Sequence, residues 1–108
     1  MNNNAEKISE ILLKLRLDSI QANASHDVRS VMDKYNMLFV GEKFNTIYSL
    51  ELLNTLNTFF NFDISRDELN TLIPIVCKSL NMKFDSLVKV SDLDCVDPPI
   101  AGFCILLW

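Results

Sequence analysis

The lone histidine, His26, and the three cysteines, Cys77, Cys95 and Cys104, are the side chains of this 108-residue chain best suited to nucleophilic or metal chemistry. A thiol becomes a nucleophile when an imidazole folds against it as a base, and zinc needs four nitrogen or sulfur ligands in a tetrahedron. The spacing signals neither. His26 stands beside Asp27, far in sequence from every cysteine, and reads as an exposed residue in a helix's first turn. The cysteines are odd in number and lack CxxC spacing, so they read as reduced thiols in a chain whose start shows no secretion signal. Asp92, Asp94 and Asp97 could gather a hard cation, but their spacing matches no calcium loop and reads as a solvated turn. No GxSxG, P-loop, GxGxxG or HExxH pattern occurs, and no catalytic pair stands out among the 14 acidic residues. The chain is expected to be no enzyme, with no catalytic residue, cofactor or metal assigned.

The elements that would carry these residues fit a single domain over 1–108, with 1–4 as a frayed start. An amphipathic helix is expected from about Ala5 to Ile20, with Ile8, Ile11, Leu12, Leu15 and Ile20 inward and Leu13 and Leu17 widening the stripe. Asn3 and Glu6 have capping-box spacing ahead of it. A polar patch, Gln21 to Ser25, leads to a second helix over roughly His26 to Asn36. Met37 to Val40 is an apolar run that fits a helical turn or a short strand equally well. Thr46, Ile47 and Tyr48 favour one short strand. A third helix from Ser49 to about Phe60 should bury Leu52, Leu53, Leu56, Phe59 and Phe60. Ser65-Arg66-Asp67-Glu68 is a full capping box, with Ile64 placed to staple onto Leu69. It opens a fourth helix through Asn81 that Pro74 should kink or split near Leu72. The turn before it is too short, and too poor in glycine, for a calcium loop.

After Met82 the period becomes two, with Phe84, Ser86, Val88 and Val90 on one face of a strand. Ser91 to Pro99 is a turn region. The uncharged tail, Ile100 to Trp108, returns as the hairpin partner. Phe103, Ile105 and Leu107 share one face of it, opposite an equally apolar row, so that face needs cover from this chain's helices or from a second molecule. The fold class is therefore α+β and mainly helical: about four helices with a C-terminal β-hairpin.

Over about Phe44 to Trp108 the order strand, helix, turn, helix, strand, loop, strand resembles a winged helix-turn-helix. The resemblance implies that the helix from Arg66 to Asn81 would enter the DNA major groove, with Arg66, Lys78, Lys83 and Lys89 as contacts of a transcriptional regulator. Charge argues the other way. The net charge is −4, and the helix leads with Asp67 and Glu68, so nucleic acid is disfavoured. The reading that remains is a small, acidic, cytoplasmic protein-binding domain, a regulator, inhibitor or immunity-type partner of a protein with a basic surface. Its expected contacts are Asp67, Glu68, Asp92, Asp94, Asp97, Phe103, Ile105 and Leu107, with a homodimer through the C-terminal strand as a further option. No segment has the roughly 20 apolar residues needed to span a membrane.

Overall fold

Ser65 caps a helix as its sequence context requires, its hydroxyl accepting the Glu68 N–H at 3.1 Å while Ile64 and Leu69 are both buried beside it. The computed structural model describes residues 3–89 and 100–108 of the chain. Four helices, α1 (Asn3–Ser25), α2 (Val28–Tyr35), α3 (Ser49–Thr58) and α4 (Arg66–Leu80), accompany strands β1 (Thr46–Tyr48), β2 (Lys83–Leu87) and β3 (Gly102–Leu106). The protein is a mainly helical α+β domain. From β1 onward its element order is the one the winged helix-turn-helix resemblance implied.

Helix α1 is longer than its periodicity suggested. Asn3 is already helical rather than a cap, and Asn4, expected in a frayed start, donates to Glu68 Oε1 at 2.6 Å. At the other end the polar patch continues the helix, because Ala22 finds a buried place and the Ser25 hydroxyl bonds back to the Gln21 carbonyl. Helix α2 stops at Asn36, which takes the left-handed conformation (φ 51°) and donates its N–H to the Met32 carbonyl. Met37 and Phe39 are buried and Leu38 is exposed, and Val40 then forms an isolated antiparallel bridge with Thr46. That run is extended, not a helical turn. Gly41 makes the turn at φ 90°, a conformation glycine adopts without strain.

Pro74 does not split α4, which runs unbroken from Arg66 to Leu80. Its missing N–H deprives only the Asn70 carbonyl of a helical partner. Helix α4 ends on Asn81, left-handed at φ 61°, and the chain passes straight into β2. Strand β2 ends at Leu87, sooner than the alternation through Val90 suggested, and Val90 lies outside the described residues.

The tail is more than a hairpin partner. Strand β3 is the central strand of an antiparallel sheet ordered β1-β3-β2. It pairs with β2 from Lys83↔Leu106 to Leu87↔Gly102, and with β1 from Thr46↔Leu106 to Tyr48↔Cys104. Helices α3 and α4 pack on it. Phe103, Ile105 and Leu107 are 4%, 0% and 1% exposed, within one core shared with Ile8, Leu12 and Leu15 of α1 and Leu52 and Leu56 of α3. The cover for that face comes from this chain. Among the described residues no helix is long and apolar enough to cross a membrane.

Candidate partner-binding surface

The core corrects one group of expected contacts. Phe103, Ile105 and Leu107 are buried and unavailable to a partner, and both edges of β3 are taken, so no second copy can pair with that strand. Glu68 is half-buried and its carboxylate accepts from Asn4, which ties the start of α1 to the start of α4. Asp67 stays exposed in the first turn of α4. Asp92, Asp94 and Asp97 lie outside the described residues, as does Cys95.

The cations of the DNA reading are all exposed but are spread out. Arg66 and Lys78 stand at opposite ends of α4, about 18 Å apart along its axis. Lys83 opens β2, and Lys89 lies two residues beyond its end. Between Arg66 and Lys78 the outward face of α4 carries Asp67, Thr71, Pro74 and Ile75. Ile75 is 58% exposed at the centre of the face that would meet base edges.

His26 is exposed, with a left-handed backbone (φ 59°), and shares a depression with Asn23, Val28, Arg29, Met32 and Phe44. Among the described residues no thiol or carboxylate lines that depression. The Cys77 thiol is fully buried, and burial pushes it up to about 11, so it is protonated and weakly nucleophilic at neutral pH. Among the described residues no three His, Cys, Asp or Glu side chains gather as a metal site.

Two polar clusters that pattern reading did not find hold the helices in place. The buried Tyr35 donates its hydroxyl to the Asp18 carboxylate, which Lys34 also approaches at 3.6 Å. Burial first, then the hydrogen bond to Asp18 and its charge, push the Tyr35 hydroxyl far above the usual tyrosine range. Phe59 and Phe60 close on the ring at 5.0 and 5.9 Å between centroids. Phe59, expected inward, is 42% exposed and packs edge-on against Tyr35 and Phe60 at the end of α3. The second cluster joins Trp108, Ser19, Phe44 and Asn45. The Trp108 indole N–H donates to Ser19 Oγ (2.9 Å), Ser19 to the Phe44 carbonyl (2.8 Å), and Asn45 Nδ2 to the Trp108 carbonyl (2.8 Å).

The surface that stands out belongs to α1. Its inward row is Ile8, Ile11, Leu12, Leu15, Ser19 and Ala22, all buried. At about 100° per residue, Leu13 and Leu17 lie about 170° around the helix from that row. They do not widen the core stripe. With Ile20, which was expected inward, they form a second stripe that is 40%, 55% and 41% exposed. Extended in both directions at the same 4-3 spacing, the outward seam reads Glu6, Glu10, Leu13, Leu17, Ile20, Ala24, every residue exposed. The acidic half of this seam borders a groove of about 390 Å³ between α1 and α4, lined by Ala5, Glu6, Ser9, Glu10, Ile75, Val76, Ser79 and Leu80.

No family model, curated protein or solved structure matches this chain.

Proposed function

We propose that this chain is a non-enzymatic protein-binding domain that docks another protein on the outward seam of α1 and regulates that partner by occupying it. The exposed stripe Leu13, Leu17, Ile20 carries the reading. An apolar row opposite the face a helix buries is a cost in water unless something covers it. The net charge of −4 suits a partner with a basic surface. The free thiols of Cys77 and Cys104 suit a reducing, cytoplasmic compartment.

The test pairs the wild type with Leu17→Lys. A partner captured from host extract, identified and purified should bind the wild type and lose about tenfold or more in affinity for the variant. The variant's melting temperature should be unchanged. Equal binding by both forms overturns the reading.

The winged-helix element order supports a second reading, DNA binding through α4. It requires Asp67 and Ile75 to face the duplex, an arrangement that costs affinity without reading a base. Titration with random duplex at low salt decides it: binding that Lys78→Ala and Lys83→Ala weaken would favour DNA, and no binding at micromolar protein would remove it.

A further inference from the structure

We infer that the occupant of the α1 seam is an antiparallel amphipathic helix of another protein, with apolar seam residues in its N-terminal half and Lys or Arg in its C-terminal half. The inference rests on the docking reading above and specifies its partner. The seam is polarised along its length: Glu6 and Glu10 fill the first two positions, while Leu13, Leu17, Ile20 and Ala24 fill the rest. Beside the acidic half, the α1–α4 groove has Ile75, Val76 and Leu80 on its wall and, among the described residues, no cation in its lining. That combination takes the aliphatic stem of a lysine or arginine and leaves its charge against the carboxylates.

This polarity argues against a second copy of the chain. Two α1 helices laid parallel and in register would set Glu6 on Glu6 and Glu10 on Glu10. Laid antiparallel over their full length, they would press both carboxylates into the partner's Leu17, Ile20 and Ala24, and a carboxylate desolvated against apolar side chains loses affinity. A helix with the opposite polarity meets neither penalty. Antiparallel packing also brings a helix C-terminus, where cations are favoured, to the acidic start of α1.

The experiment uses a synthetic helix of about three heptads with three seam leucines followed by two seam lysines, and a control of the same composition with the lysines first. Each is titrated into the isotope-labelled full chain and followed by amide shifts. The first peptide should shift residues of the α1 seam and the groove, and bind about fivefold or more tighter than the control. Glu6→Gln with Glu10→Gln should weaken it by about tenfold and erase the preference, and so should about 0.5 M salt. No α1 shifts at about 1 mM peptide would overturn the proposal. So would a wild-type dimer, seen by light scattering, that Leu17→Lys dissolves. Equal binding of both peptides on the seam would remove the basic partner but leave the docking reading standing. That reading fails separately, if its purified partner ignores Leu17→Lys.

Discussion

The indole N–H of Trp108 donates to the hydroxyl of Ser19 across 89 positions of sequence. Ser19 is 2% exposed, and its hydroxyl donates in turn to the Phe44 carbonyl. Ser19→Ala leaves the indole donor and that carbonyl without this partner and should cost about 1–2 kcal/mol in urea unfolding. Trp108→Phe should cost a similar amount. The double variant should fall short of the sum by about 0.5 kcal/mol or more, because both changes break the same bond.

Gly102 is required by close approach. A Cβ there would stand 2.7 Å from Ser49 Oγ, the same hydroxyl that accepts the Phe103 N–H at 2.8 Å. Gly102→Ala should therefore destabilise by about 1–3 kcal/mol. Ser49→Ala should cost a comparable amount by leaving a buried N–H unpaired. Together they should cost less than the sum, since removing Oγ makes room for the new methyl. Thermal melts of the four proteins check this.

Stability should decline in alkali through Cys77. The unfolded thiol loses its proton near pH 9, while the folded one holds it to about 11. Across that window the unfolded state binds fewer protons, so stability falls as pH rises and is unaffected below pH 9. Tyr35, whose ordinary value is 10.0 and whose folded value is raised, extends the loss to higher pH with the same sign. Cys77→Val should flatten the profile between pH 9 and 10. Thiol titration at pH 8 should modify the half-buried Cys104 well before Cys77.

The two apolar rows should answer lysine differently. Phe103→Lys places a charge in a site 4% exposed and should prevent folding. Leu17→Lys, at 55% exposure, should change stability by no more than about 0.5 kcal/mol. Circular dichroism of both variants separates a core row from a docking row.

These rows also show how far the sequence could be read. The Ser65 cap, the burial of Ile64 and Leu69, the short strand at Thr46 and the tail strand were legible because each is set by residues a few positions apart; the other half of the capping box did not form, since the Glu68 carboxylate accepts from Asn4. Leu13 and Leu17 read from sequence as part of the core stripe because hydrophobicity does not say which of two opposed rows meets the core; α4 and the sheet decide that. The central place of β3 depends on pairing Ile47 with Ile105, a contact local periodicity cannot register. The Asp18–Tyr35 bond joins two helices whose polar residues gave no pattern. The candidate seam was present in the sequence as a 4-3 spacing, but it became recognisable only once the opposite face was filled.

The order β1-β3-β2 has a consequence for how the molecule opens. Among the described residues strands β1 and β2 do not pair with each other, and apart from the Val40 bridge to β1 each finds its sheet bonds on β3. Lifting β3 therefore releases both flanking strands at once. Ladder amides near Ile47 and Phe84, far apart in sequence, should exchange with solvent deuterium through one shared opening, at rates that track each other across denaturant.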